Sequence, residues 1–379
     1  MFVDKNKCSG CGLCAEYCPA NALSMKADEA GFLYPVLQAD LCIHCDLCKK
    51  VCAFNELECG STPQNVYISQ HVSGNVCFHS TSGGMFTAIS DAIFDKNGII
   101  YAPMFDENVT LKHMRIADTE HRDLARGSKY VQSDISSIYQ SLTDDLENEK
   151  NVAVFGTPCQ IAGIRKKFGS KYENKLWLVD IVCNGVSSPK VWEQHVSRIE
   201  EKKKKKVINY NFRPKTKGYL SQSELAYFSD GSVCEYTYAM DRYNSLYYSG
   251  LLMRPSCSNC GFCDMKRVSD LTIADFSKET EMILPFERKK GASTLLINTS
   301  NGKQLFDNFK KNVKYVETDI SEIDQKRLRK CSETNVDSEE FICKCIQQGL
   351  NSAIKTKYSK IKRLKLHIAD MIYRIKNKC

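Results

Sequence analysis

Cysteine spacing constrains this chain more than any other feature. The run Cys8-x2-Cys11-x2-Cys14-x3-Cys18 precedes Pro19, and Cys42-x2-Cys45-x2-Cys48-x3-Cys52 repeats it. Corresponding positions lie 34 residues apart throughout, 8 to 42, 11 to 45, 14 to 48 and 18 to 52. Three cysteines in a tight loop reach three corners of one iron–sulfur cubane, while the fourth, at the start of the next element, reaches the other cube. The spacing therefore predicts two 4Fe-4S clusters, one on Cys8, Cys11, Cys14 and Cys52, the second on Cys42, Cys45, Cys48 and Cys18. A pair of zinc sites fits this double register less well. Gly10 and Gly12 let backbone approach the cluster closely. Pro19 ends the first loop, whereas Ala53 stands at the matching place in the second, a change that touches stiffness and not ligation. His44, between ligands, reads as a loop residue.

The chain has 20 cysteines among 379 residues. In a secreted protein these would suggest disulfides; in a reducing compartment they are available as thiolate ligands. Met1 to Lys7 has no apolar signal-peptide core. Nor does an apolar run of about 18 residues mark a membrane span, so the expected location is the cytoplasm. The net charge of +8 is concentrated in Lys202–Lys206 and in the stretch from Lys355 to Lys378. Lys202–Lys206 reads as a solvated helix end. In the tail, Ile361, Leu364, Ile368, Met371, Ile372 and Ile375 recur at helical spacing, giving a basic amphipathic helix. Such a helix either closes the core with a solvated face, touches an anionic membrane peripherally, or docks a partner. Aromatic and basic residues do not interleave as a nucleic-acid groove requires, which excludes that partner class.

Beyond a linker near Ser61-Thr62-Pro63, short strands alternate with helices. Asn65 to His71 reads as a strand, and His79-Ser80-Thr81-Ser82-Gly83-Gly84 opens a helix with Phe86, Ile89 and Ile93 on one face. A helix start rich in hydroxyls and glycine presents backbone N–H groups to an anion such as a flavin pyrophosphate, or is simply an N-cap. Another strand, Gly98 to Phe105, leads to the polar loop Arg126 to Ser133, where Lys129 either faces a bound anion or is a solvated surface lysine. Val152-Ala153-Val154-Phe155 is a buried-type strand, and Gly156-Thr157-Pro158-Cys159 turns into a helix bearing Ile161, Ile164 and Phe168. A second strand, Leu176 to Val182, ends in Cys183-Asn184-Gly185. In such parallel sheets ligands bind beyond the carboxyl ends of the strands, where Cys159 and Cys183 sit. Cys159 also starts a helix, whose dipole favours a thiolate. Cys257-x2-Cys260-x2-Cys263 follows, before a strand at Asp270 to Asp275. Cys159, Cys183, Cys257 and Cys260 together make a third cubane site, with Cys263 as an understudy. The competing readings are a zinc knuckle on Cys257, Cys260 and Cys263, and a nucleophilic Cys159. Cys59, Cys77, Cys234, Cys331, Cys343, Cys345 and Cys379 show no ligand spacing and read as structural or incidental.

The double cysteine run, Ser82 to Thr87, Gly127 to Ser133, Gly156 to Gln160, Asp180 to Val186 and Arg254-Pro255-Ser256-Cys257 occur in that order. In this succession the chain resembles the coenzyme F420 hydrogenase/dehydrogenase beta-subunit family over roughly residues 1–300. The resemblance implies an oxidoreductase with 4Fe-4S clusters and FAD. Ser82, Gly83, Gly84 and Thr87 match its flavin-phosphate loop; Gly127, Ser128, Lys129 and Tyr130 match a second flavin loop, with Lys129 near the ring as the catalytic candidate. Gly156 and Thr157 join the cofactor-binding set, and Cys159, Cys183, Cys257 and Cys260 match cluster positions. Departures are Asn184 for histidine, Ser187 for proline, and Asp275-Phe276-Ser277-Lys278 for the usual Asp-Phe-Trp-Gly. They put the substrate, the deazaflavin above all, in question.

The expected fold is an α+β ferredoxin-like dicluster module followed by an α/β body with a mixed, largely parallel sheet and a helical C-terminus. Residues 1–60 form the module, 61–150 and 151–320 the two parts of the oxidoreductase domain, and 321–379 a basic helical extension. The main functional expectation is an iron–sulfur flavoprotein coupling one-electron relay, with ferredoxin or another low-potential carrier as partner, to two-electron FAD chemistry. Its substrate would be small or glycan-linked, in polysaccharide biosynthesis. The alternative is an electron-transfer subunit serving a separate catalytic subunit or coenzyme F420.

Overall fold

A computed structural model describes residues 3–55, 60–216, 218, 223–236, 243–276, 278, 280, 282–358, 365 and 368. Cys59, Ser277, Cys379 and nearly all of the amphipathic helix expected in the basic tail lie outside the described residues.

The repeat in the cysteine code is also a repeat of the backbone. A 3-10 turn at Lys5–Lys7 and helix α1 (Leu13–Glu16) have counterparts in a 3-10 turn at Ala39–Leu41 and helix α2 (Leu47–Lys50). Between the halves lies an antiparallel hairpin, β1 (Leu23–Ala27) and β2 (Leu33–Leu37). Each ligand loop needs two left-handed residues. The first half uses Gly10 (φ 72°) and Gly12 (φ 81°); the second uses His44 (φ 54°) and Asp46 (φ 56°), residue types that tolerate this conformation. His44 thus has the backbone role expected of a loop residue.

The body begins with β3 (Asn65–His71), α3 (Gly74–His79) and α4 (Met85–Phe94). A hairpin of β4 (Ile99–Phe105) and β5 (Leu111–Ile116) leads to α5 (Thr119–Ala125) and α6 (Tyr139–Glu147). Next come β6 (Val152–Gly156), α7 (Pro158–Phe168), β7 (Leu176–Ile181) and α8 (Pro189–Lys203). A separate antiparallel sheet of β8 (Val207–Asn211), β9 (Glu224–Phe228) and β10 (Val233–Tyr236) follows, with α9 (Tyr243–Tyr248) after it in the chain. The main sheet is completed by β11 (Leu271–Asp275), β12 (Ser293–Ile297) and, after α10 (Ser300–Phe309), β13 (Val313–Glu317). Helices α11 (Ser338–Gln348) and α12 (Leu350–Lys357) follow.

The main sheet has the order β13-β3-β12-β11-β7-β6-β4-β5. Its central strands, β11, β7, β6 and β4, are parallel, and both flanks are antiparallel. This is the mixed α/β body expected. Strands from 61–150 and from 151–320 share this one sheet, β3 lying between β13 and β12 and β4-β5 at the opposite edge. Every residue of β6 is buried, as a strand covered on both faces requires. Ile161, Ile164 and Phe168 of α7 face inward against it, whereas Lys202–Lys206 is exposed at the end of α8.

The ends of the parallel strands are tied by buried charge. The Asp180 carboxylate accepts hydrogen bonds from Arg267 Nη2 (2.7 Å) and Thr272 Oγ1 (2.6 Å), with both charged groups sealed from solvent. Asp270 accepts from Arg165 Nη2, the Leu178 N–H and Thr299 Oγ1, each at 2.8 Å, joining α7, β7 and the cap of α10. Removing one partner of a buried pair strands the other. Asp180→Ala is therefore expected to lower unfolding free energy by about 3–5 kcal/mol, read as a reduced urea midpoint; an unchanged midpoint would refute a structural role for the pair.

Candidate functional site

In the N-terminal module, Cys8, Cys11 and Cys14 lie within electrostatic reach of Cys52 from the other half. This is the crossed set that the spacing implies. In the second loop Cys48 neighbours Cys45, and Lys49 feels both Cys48 and Cys42. Cys18 Sγ accepts the Ala22 N–H at 3.2 Å. Burial pushes the Cys11 thiol up to about 11 and Cys14 higher still, the adjacent thiols adding to the effect. Such thiols do not ionise alone; a cationic metal–sulfide group supplies the charge that lets them bind as thiolates. The donor set fits a cubane. The two halves differ in exposure. Leu13 is buried beside the first loop, while Cys45, Leu41, Ile43 and Leu47 of the second half are exposed.

Cys159, Cys183, Cys257, Cys260 and Cys263 line a single small cavity. Each of the four expected ligands is within electrostatic reach of the other three. Cys263 hydrogen-bonds Cys260, and the Gly185 N–H donates to Cys183 Sγ at 3.3 Å. Among the described residues, no three His, Cys, Asp or Glu side chains gather as a site for a single ion; a cubane holds its ligands farther apart. One expectation needs correction. The start of α7 was expected to favour a Cys159 thiolate, yet burial, then Cys260 and Cys257, push this thiol far up. Desolvation outweighs the helix dipole, so Cys159 lacks the electropositive setting of a nucleophile. It is instead a soft donor suited to a metal–sulfide group.

Helix α7 joins the first site to this one. Cys11 is within electrostatic reach of Cys159, and a Cβ on Gly163, one turn along, would stand 3.3 Å from Cys11 Sγ. The side chain missing at Gly163 makes room for the first ligand loop.

A larger cavity of about 250 Å3 adjoins the cysteine-lined one. Thr157, Gln160, Cys183, Gly185 and Val186 line both. Of the residues expected to hold a cofactor, Ser82, Gly84, Gly127, Ser128 and Lys129 line the larger cavity, as do Tyr130, Gly156 and Thr157. Gly83 and Thr87 stand behind the wall. The Gly83 N–H is occupied by Ser293 Oγ (2.8 Å), and Thr87 Oγ1 accepts from Arg126 Nε (3.1 Å). No side chain caps the start of α4 at Gly84, whose neighbours Met85 and Phe86 reach the cavity, leaving that terminus suited to an anion.

Lys129 is neither a free surface lysine nor aimed only at the cavity. Its Nζ donates to the carbonyls of Ala125 (2.8 Å), Arg126 (3.1 Å) and Gly127 (3.2 Å), and burial lowers it to about 7. Tyr130 stacks on Tyr247 at 4.4 Å, and Tyr247 Oη donates to Gly185 O at 3.0 Å, beside Cys183. Ser187 explains one departure from the family pattern: its N–H donates to Tyr130 O, a bond proline cannot make.

Several site residues carried no sequence signal. His113, in the larger cavity, donates through Nε2 to Phe155 O and accepts at Nδ1 from Ser133 Oγ. Burial holds it neutral, down at about 4. Cys331, read as incidental, donates to Cys260 O at 3.0 Å. Arg327 and Ser332, from the same stretch, bond Asn184 and line the cysteine cavity. Non-local packing brings these residues in, and spacing cannot reveal it.

Comparison with known proteins adds the following. Residues 7–55 match the 4Fe-4S dicluster domain, and residues 149–323 match the family described as the C terminus of the coenzyme F420 hydrogenase/dehydrogenase beta subunit. The subunit designated F in the F(420)H(2) dehydrogenase of Methanosarcina mazei is 22% identical over 190 residues, which are 48% of this chain and 54% of that protein. An uncharacterized ferredoxin of Methanocaldococcus jannaschii is 35% identical over 57 residues, 15% of this chain and 73% of that one. The chain spans about half the length of the dehydrogenase subunit it matches. A chain in the xenon-derivatized F420-reducing [NiFe] hydrogenase complex from Methanosarcina barkeri superposes with TM-score 0.47 at 17% identity, covering 78% of this chain and 91% of that chain.

Two expectations follow from the geometry. Gly163→Val crowds Cys11, so iron should fall by about one cubane's four atoms while the chain stays folded; an unchanged iron assay would show that the loop has room. Lys129 lies below its ordinary value, so it gains its proton, and the cavity a positive charge, as pH falls through about 7. Pyrophosphate binding should then tighten by about tenfold from pH 8.5 to 6, measured by calorimetry, and Lys129→Met should flatten that slope. A flat wild-type profile would remove Lys129 from the anion site.

Proposed function

The chain belongs to the coenzyme F420 hydrogenase/dehydrogenase beta-subunit family, and we propose that it works as an iron–sulfur electron-transfer subunit, relaying electrons to or from a separate catalytic subunit or coenzyme F420. The observation that carries this reading is continuity. The first cysteine loop abuts α7, α7 opens into the four-cysteine cavity, and Cys183 stands in the walls of both that cavity and the larger one.

Cys8, Cys11, Cys14 and Cys52, then Cys42, Cys45, Cys48 and Cys18, hold the N-terminal 4Fe-4S pair in this reading, and Cys159, Cys183, Cys257 and Cys260 a third. FAD is the group proposed for the larger cavity; when bound, a flavin exchanges electrons singly with clusters and in pairs with an organic partner. The residues there suit it. The uncapped start of α4 and the Ser82–Gly84 turn offer an anion-binding end, and Gly127 to Tyr130 form the facing wall. Lys129, half-neutral near pH 7, places adjustable positive charge beside that wall, and the stacked Tyr130 and Tyr247 exclude water on the side toward Cys183.

The exposed second half of the module is the port for a low-potential partner, ferredoxin or a partner subunit. Leu41, Ile43 and Leu47 offer apolar contact and Lys49 and Lys50 positive charge. A reducing cytoplasmic setting suits thiols free of disulfides. Among the described residues no helix is long and apolar enough to cross a membrane. A reductase with its own glycan-linked substrate draws less support, since the dehydrogenase relative is itself named as a subunit.

Anaerobic purification with iron, sulfide and flavin assays tests the reading. It requires about twelve irons per chain, and about eight from Cys183→Ser, whose N-terminal clusters should still be reduced while transfer to a flavin or deazaflavin acceptor falls at least tenfold. About eight irons in the wild type would remove the third cluster. Turnover of a substrate without any partner would favour the reductase instead.

A further inference from the structure

The buried guanidinium of Arg254 has no role in the site as described, although the sequence places it three residues before Cys257. It is 1% exposed, and among the described residues no carboxylate pairs with it. Its fork meets three oxygen acceptors and the Cys8 side chain: Nε donates to Cys8 O (2.7 Å), Nη2 to Leu33 O (2.9 Å) and Nη1 to Gln132 Oε1 (2.8 Å), and the guanidinium also hydrogen-bonds the Cys8 sulfur. Gln132 is fixed in turn, donating to Ser9 O at 2.8 Å. The guanidinium also lies over the rings of Tyr34 (4.2 Å) and Phe32 (5.3 Å). At its backbone, the N–H donates to Val186 O and the carbonyl accepts the Cys257 N–H.

Arg254 thus touches the loop of the first cysteine set and carries that of the third. It lines the four-cysteine cavity together with Ser9 and Gln132. A full positive charge sealed among dipoles is unfavourable unless negative charge is near, and the two thiolate sites on either side are where negative charge gathers. We propose that Arg254 is a positioning residue whose charge lies between the first and third iron–sulfur sites and holds the reduction potentials of both above those they would otherwise have. The inference rests on the iron–sulfur reading of those two sites. Its physical basis is that a nearby cation stabilises the more negative, reduced form, and that net charge and hydrogen bonding set cluster potentials. A purely mechanical clamp between module and body would need the hydrogen bonds but not the charge.

The test is potentiometric titration followed by electron paramagnetic resonance on anaerobic, iron-quantified holoprotein, comparing wild type with Arg254→Gln, Arg254→Lys and Gln132→Glu. In Arg254→Gln the first and third sites should shift to more negative midpoints while the exposed second site stays unmoved, and Arg254→Lys should restore much of the shift. Gln132→Glu sets a carboxylate against the intact fork and should reproduce the negative shift, so it carries the test if Arg254→Gln fails to fold. Wild-type midpoints in Gln132→Glu with full iron content would overturn the proposal and leave a clamp. Iron for only two cubanes in the wild type would overturn the underlying reading, and the iron assay separates the two failures.

Discussion

Negative charge does not belong in a protein interior, and that constraint organises this molecule. Three cysteine sets are partly or wholly withdrawn from water, and in each the thiols raise one another's affinity for protons. A bound metal–sulfide core would invert that balance, because a soft, cationic group supplies the charge that the interior refuses. The protein contributes backbone N–H groups to sulfur, as Ala22 does to Cys18 and Gly185 to Cys183, and buries the Arg254 guanidinium, which among the described residues has no carboxylate partner. The sheet follows from the same need, because only a rigid scaffold brings Cys159, Cys183 and Cys257 together from distant stretches of chain.

Much of this was legible in the sequence. A 34-residue repeat of four thiols is local information, and the backbone repeats with it, down to His44 and Asp46 where the first half has glycine. The buried strand Val152–Phe155 and the helix after Pro158 were equally plain, since continuous apolar runs and a Thr-Pro start are read within a few residues. The third set was harder. It draws on two strand ends and one loop, so spacing leaves zinc and a nucleophile as competing readings, and only the topology shows that those ends lie side by side. What stayed hidden is non-local. Nothing near Arg254, His113 or Cys331 in sequence tells what will pack against them, and Gly83 looked like a phosphate contact because its engagement with Ser293 comes from 210 residues away.

The departures from the family pattern also have a local physics. Ser187 uses an N–H that a proline lacks, and its hydroxyl bonds Tyr130 and Tyr243, tying the larger cavity's aromatic wall to the loop after Cys183. Asn184 receives Arg327 from a stretch beyond residue 323, where the family match ends. The cysteine cavity is therefore lined partly by residues beyond that match, Arg327 and Ser332, as well as by the ends of the central strands.

The unequal burial of the module's two halves sets how the protein ages. Its inner loop is shielded by the body, whereas the outer loop meets solvent through Cys45. Oxygen and chelators would therefore meet a cluster on the outer loop before one on the inner loop, so the outer site would fail first and spare the interior, as a fuse does.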